Sequence, residues 1–248
     1  NPDGAVDLYH WEAGDPAARP VILLVGLGMQ AIEWPMPFVK RLAETRRVIC
    51  VENRDAGHSP HCGPDSEPEA ADIWERRDLT AAMRLVPYSL FDMCDDVLAL
   101  LDRLKIAEFD LVGFSMGGMI GQLVAAAAGP RVGRFVQLSS NDGTNKVDSG
   151  DDAKCRMARL FIRPEPPEKI RDYLLEDALA YGAGRLTDTP ELRAEIEASY
   201  ARGFSCGGSA RHALATLITP DRPELLRSIQ AQTLVVHGDQ DTCIDPAR

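Results

Sequence analysis

No apolar run in this 248-residue sequence approaches the ~20 residues that a membrane-spanning helix requires. The six cysteines, Cys50, Cys62, Cys94, Cys155, Cys206 and Cys243, form no C-x-x-C pair and no His/Cys cluster at metal-ligand spacing. Their absence excludes a structural zinc motif and a dithiol redox motif, and scattered thiols of this kind point to reduced cysteines and a cytoplasmic location. Basic residues are in short supply, 27 Lys and Arg against 38 Asp and Glu, for a net charge of −11. Such a surface repels phosphate backbones and anionic lipid, so neither nucleic acid nor a membrane is an expected partner. The sequence opens at Asn1 with no signal-peptide pattern, which leaves a removed targeting segment open.

What is present is ordinary for a globular chain, 45% hydrophobic and 26% charged, long enough for one large α/β domain or a domain carrying an insertion. Residues Ala5 to Trp11 alternate as a half-buried strand does. Val21 to Val25, Val48 to Val51, Phe109 to Val112 and Arg134 to Leu138 are instead continuously apolar or nearly so, the mark of strands covered on both faces. Helices are expected between them: one opened by Trp34-Pro35, and one over Ser89 to Leu104 with an S-x-x-D cap from Ser89 and Asp92. In the latter, Phe91, Cys94, Leu98 and Leu101 fall on one face. Residues 56 to 88 read as a long irregular excursion. From about Asn141 to Arg227 there are only polar turns and amphipathic helical stretches, and a last strand follows at Thr233 to Gly238. Alternating strands and helices imply a mostly parallel sheet with helices on both faces, interrupted by an all-helical insertion.

The chemistry-bearing motif is Gly113-Phe114-Ser115-Met116-Gly117, a G-x-S-x-G lying between an expected strand and an expected helix. About 0.08 chance matches to the bare pattern are expected in a chain this long, so context carries the weight. A sharp strand-to-helix turn would hold Ser115 in a strained conformation with its Oγ raised off the sheet, and glycines two residues either side would remove the collisions. A helix starting near Met116 would aim free N–H groups and its positive dipole end at an oxyanion beside Ser115. The bland alternative is a glycine-rich turn that only packs helix on strand. A serine hydroxyl also needs a base and a carboxylate to orient it, and Asp239 and Asp241 follow the last strand.

The stretches LLVGLGMQAIEWP, VICVENRDAGHS, VGFSMGGMIGQ and LVVHGDQD together resemble the α/β-hydrolase superfamily, in particular its serine-hydrolase branch of aclacinomycin methylesterases and proline-iminopeptidase-like bacterial esterases. The resemblance spans nearly the whole chain. It implies an α/β-hydrolase core over residues 1–141 and 226–248 and a helical cap over residues 142–225. It also implies Ser115 as nucleophile and Asp241, rather than Asp239, as orienting acid. The oxyanion hole would be the backbone N–H groups of Leu27 and Met116. Relatives often carry His-Gly where this chain has Val25-Gly26-Leu27-Gly28; a backbone donor tolerates that departure. Arg54 and Asp55 are expected to be scaffold, and Met29 and Met119 pocket wall or core.

None of the five histidines, His10, His58, His61, His212 and His237, matches the base of that family, which follows the acid by a further helix and strand. His10 and His237 are placed on strands, His58 and His61 in a loop, and His212 on a helix. The expectation is a chain truncated at its C-terminus, and at its N-terminus too, with the base histidine beyond Arg248. Substitution by His58 or His212 is the alternative. The function expected is carboxylic ester hydrolysis of a small or medium apolar ester through an acyl-enzyme, without cofactor or metal. The partner is a small-molecule substrate, and a homodimer is allowed. Aminopeptidase, lactonase, carbon-carbon hydrolase and perhydrolase chemistry share the same triad, and a non-catalytic ligand-binding protein of the same fold is the rival from another class.

Overall fold

The computed structural model describes residues 4–143, 151–244 and 246. Its strands are β1 (His10–Ala13), β2 (Pro20–Leu24), β3 (Arg47–Val51), β4 (Phe109–Phe114), β5 (Val132–Leu138) and β6 (Gln232–Val236). They form one sheet in the order β1-β3-β2-β4-β5-β6, with β1 antiparallel to β3 and every other pair parallel. The helices are α1 (Met36–Ala43), α2 (Ala70–Arg76), α3 (Leu79–Leu85), α4 (Leu90–Arg103), α5 (Met116–Ala128), α6 (Asp151–Arg159), α7 (Ile170–Tyr181), α8 (Pro190–Ala201), α9 (Cys206–Ile218) and α10 (Pro223–Arg227).

The continuous apolar runs are explained by the two faces they serve. Ile22 and Leu24 of β2 and Ile49 and Val51 of β3 pack with Val97 and Leu101 of α4 and Ile120 and Val124 of α5. Their sequence neighbours Val21, Leu23, Val48 and Cys50 point the other way, against Val39 of α1 and Trp34. A period of two with both faces covered leaves no polar position in the strand. The central strands β2 and β4 therefore lie in the middle of two cores, and the turn leaving β4 is held from both sides.

Several expectations need correction. The first strand begins at His10, not Ala5: its register with β3 ends at His10 opposite Val51, and one further bond, Glu52 N–H to Tyr9 O at 3.0 Å, closes the pairing. The amides before it are satisfied individually, Val6 N–H by Asp96 Oδ1 and Tyr9 N–H by Ser59 Oγ. The stretch 56 to 88 is not irregular throughout: α2 and α3 lie in it, separated by Arg77 at φ 55°. Pro35 is the N-cap of α1, one position ahead of its first turn. The cap of α4 is as expected, with Ser89 Oγ accepting from Phe91 N–H and Asp92 Oδ2 accepting from Ser89 N–H, but Phe91 faces outward and Leu90, Met93 and Val97 are buried instead. His237 lies one residue past the end of β6.

Between β5 and β6 the described residues contain no strand, only α6 to α10 and a short 3-10 turn at Pro167–Lys169. Residues 144–150, at the start of the block expected as a cap, lie outside the described residues. The block is not uniform. Ala210, Ala213 and Leu214 of α9 belong to the same core as Ile22, whereas Leu160, Ile170 and Cys206 form a smaller cluster of their own with Leu174 and Phe204. Among the described residues no helix is long and apolar enough to cross a membrane.

Candidate active site

Ser115 joins the last residue of β4 to the first of α5 at φ 53° and ψ −121°, a region an L side chain rarely visits and one that costs roughly 1–3 kcal/mol. Its own peptide groups are both engaged. Ser115 N–H donates to Leu138 O at 2.9 Å, and Ser115 O accepts from Gly118 N–H at 2.8 Å. The glycines are required by backbone crossing backbone: a Cβ on Gly113 would lie 2.3 Å from Gly117 O, and one on Gly117 would lie 2.2 Å from Leu24 O. No side chain could yield at either place, so the start of α5 can sit on β2 and β4 only with hydrogen at both positions.

Against this turn lies the loop after β2. A Cβ on Gly26 would lie 3.3 Å from Ser115 Cβ, so the two segments are in contact. Among the described residues no protein acceptor engages the N–H of Leu27 or of Met116. The next amide is committed: Gly28 N–H donates to His212 Nδ1 at 3.0 Å, while His212 Nε2 lies 2.6 Å from Arg54 O. Those partners require a neutral imidazole with the proton on Nε2. Burial holds the His212 pKa below its usual value, as the neutral ring requires. His212 is therefore a clasp between α9, the β2 loop and the β3 loop, and it has no nitrogen to offer Ser115.

The other histidines also have partners of their own. His58 Nδ1 is 3.1 Å from the Arg202 guanidinium, His61 Nε2 is 3.3 Å from Gly57 O, and His10 Nε2 is 3.7 Å from Glu12. His237 Nε2 lies 3.0 Å from Ile244 O and 3.1 Å from Asp241 Oδ2, and its Nδ1 is buried with no hydrogen-bond partner among the described residues. Asp241 is the better held of the two acids after β6. Its Oδ1 accepts from the N–H groups of Cys243 and Ile244 at 2.8 and 2.9 Å, whereas Asp239 is exposed.

Ser115, Leu27 and Asp241 all line one cavity of about 460 Å³. Met29 and Phe114 contribute from the sheet side, and Met157, Leu160, Leu174 and Tyr181 from the α6–α7 region. Met119 is instead packed against the main core. Sequence reasoning missed Glu33, Asp177, Arg185 and Cys243, which also line this space. Loss of hydration pushes the Glu33 carboxyl up to about 7, against the lowering effect of Gln30 N–H and Ser199. Burial likewise raises Asp177 to about 6, opposed by Arg156 3.4 Å away. Among the described residues no three His, Cys, Asp or Glu side chains gather as a metal-holding group.

Arg54 and Asp55 are scaffold, as expected. Arg54 grips Asp96 through Nε and a terminal nitrogen at 2.6 and 2.7 Å. Asp55 takes Arg211 in the same two-pronged way at 2.7 and 2.9 Å, and the Tyr88 hydroxyl at 2.6 Å.

The sequence profile of the alpha/beta hydrolase fold matches residues 19–248. The chain belongs to the α/β-hydrolase family. A rhodomycin D methylesterase of Streptomyces peucetius is 34% identical to this family member over 128 residues, 51% of the present chain and 37% of the methylesterase. The match thus spans little more than a third of that relative's length. Among solved structures, a hydrolase from Pseudomonas aeruginosa superimposes with a TM-score of 0.71 at 22% identity, covering 97% of this chain and 79% of the other. An enol-lactonase from Burkholderia xenovorans gives 0.68 at 24% identity, covering 97% and 81%. At these identities the two structures speak for the α/β-hydrolase fold alone.

Proposed function

We propose that this α/β-hydrolase chain hydrolyses carboxylic esters through an acyl-enzyme on Ser115. The observation that carries the reading is Ser115 held at positive φ on a glycine-flanked turn, in the wall of a cavity it shares with Leu27 and Asp241. The methylesterase similarity favours an ester over an amide, and an alkoxide leaving group asks least of the site.

In this reading Ser115 Oγ attacks the ester carbonyl carbon while its proton passes to a base. The carbonyl oxygen becomes an oxyanion facing the N–H groups of Leu27 and Met116, each donor contributing about 2.7–4 kcal/mol to the transition state. Collapse breaks the bond to the alkoxide, which leaves as alcohol with the base's proton. Water then repeats the sequence on the acyl-enzyme and releases the carboxylic acid. Asp241 is the carboxylate that orients the base. None of the five histidines of this sequence hydrogen-bonds Ser115 among the described residues, and the reading assigns the base to a histidine outside residues 1–248. The helices around Met157 and Leu174 act as a cap that shapes the apolar side of the cavity.

Labelling of the full natural protein with a fluorophosphonate tests this. One adduct is expected, on the peptide carrying Ser115, and none in Ser115→Ala. A folded protein that does not label would favour a ligand-binding role on the same fold.

A further inference from the structure

We propose that the cavity beside Ser115 selects esters carrying a protonated amine, with Glu33 as the anionic anchor. The inference rests on the hydrolase reading above and names its substrate class. Among the described residues, the charged side chains lining the cavity are Glu33, Asp177, Asp239 and Asp241 against one cation, Arg185. Three of the four acids are accounted for without a ligand. Asp177 has Arg156 beside it, Asp241 is held by two amides and His237, and Asp239 is exposed to water.

Glu33 differs. Its Oε1 accepts from Gln30 N–H at 2.8 Å and from the Ser199 hydroxyl at 3.0 Å, both neutral donors, and no cation pairs with it among the described residues. The guanidinium of Arg202, which reaches the neighbouring Gln30, is spent on Glu52 and Gln30. A half-buried carboxylate in a cavity wall, with no counter-charge among the described residues, is stabilised by whatever cation enters that cavity. The poor hydration that lifts its pKa to about 7 is the same deficit a ligand ammonium would fill. The remaining wall, with Met29, Phe114, Leu160 and Leu174, suits a hydrocarbon body. The occupant is thus an apolar ester with one cationic nitrogen, and the net charge of −11 draws such a molecule towards the protein.

The test compares methyl 6-aminohexanoate with its hydrocarbon counterpart, methyl heptanoate, on the full natural protein at pH 8. A charge-assisted hydrogen bond implies a kcat/KM ratio of about tenfold or more in favour of the amine. The ratio is expected to fall towards one in Glu33→Gln, whose amide oxygen can still accept from Gln30 and Ser199. In the unmutated protein it should shrink as pH drops from 8 to 6, because Glu33 takes up its proton while the amine stays charged. Binding of both esters to Ser115→Ala by calorimetry reads the same preference without chemistry. Absence of turnover for every ester would therefore count against the hydrolase reading, while the binding ratio still tests this one. Equal ratios in both proteins, a preference for methyl heptanoate, or an amine preference indifferent to pH would overturn the proposal.

Discussion

His212 offers a prediction whose size can be worked from the structure. Its two nitrogens satisfy Gly28 N–H and Arg54 O, and both are buried in the fold. Replacing it with Phe keeps ring volume but leaves that donor and that acceptor without partners, at about 1–3 kcal/mol each. The expected loss is therefore about 2–6 kcal/mol, a large part of the roughly 5–15 kcal/mol that holds a typical domain together. His212→Ala should lose at least as much, since it adds a cavity. Urea denaturation of the two variants measures this directly. The pH dependence carries a second signature. Burial depresses the folded pKa of His212 below 6.5, so the unfolded chain binds a proton there that the folded chain refuses. Stability contributed by the neutral ring is complete above pH 6.5 and is lost as pH falls below it, with a slope of at most about 1.4 kcal/mol per pH unit. The variants should show a shallower acid limb. In the catalytic assay, freeing Gly28 lets Leu27 wander, and kcat should drop more than KM rises. A His212→Phe protein within about 0.5 kcal/mol of the parent, with an unchanged acid limb and undiminished kcat, would refute the clasp.

Gly117→Ala should abolish both soluble expression and activity, because its Cβ would be driven to 2.2 Å from Leu24 O with no flexible atom to move; normal yield and turnover would contradict the backbone-crossing argument. Ser115→Gly should remove the strain of φ 53° and raise stability by about 1 kcal/mol in thermal or urea unfolding while ester hydrolysis disappears, and a destabilised variant would contradict it. For Glu33→Gln, the native carboxyl holds its proton up to about pH 7 and the unfolded one only to 4.5, so native stability falls as pH rises between those values. The variant escapes that cost and should gain up to about 3 kcal/mol on its parent at pH 8 relative to pH 4, measured by denaturation at both.

How much of this was legible in the sequence depends on the range of the interactions. The buried strands could be read from Val21 to Val25 and Val48 to Val51, because two covered faces leave no polar residue. The serine turn could be read from Gly113 and Gly117, because the backbone crossing tolerates nothing else. The cap of α4 could be read because Ser89 and Asp92 bond only to each other's surroundings. The rest depended on distant partners. The helices α2 and α3 are seven residues each and owe their burial to Ile73, Trp74 and Ala82 packing in the core that α9 also joins, which no local period announces. The spacing of Phe91 fits the inner face, but the helix turns Leu90, Met93 and Val97 inward instead. The clasp by His212 spans 184 residues to Gly28, and Glu33 meets Ser199 across 166. Polar residues that work at such separation look in the sequence like any other exposed polar residue.

The central claim is that a covalent bond forms at one oxygen. It is met most directly by mass spectrometry of the full natural protein quenched during turnover of a slowly deacylating ester. The account predicts a mass increase equal to the acyl group, located on the peptide containing Ser115 and absent in Ser115→Ala. Steady ester hydrolysis with no such adduct, or with the acyl group on another residue, would contradict it.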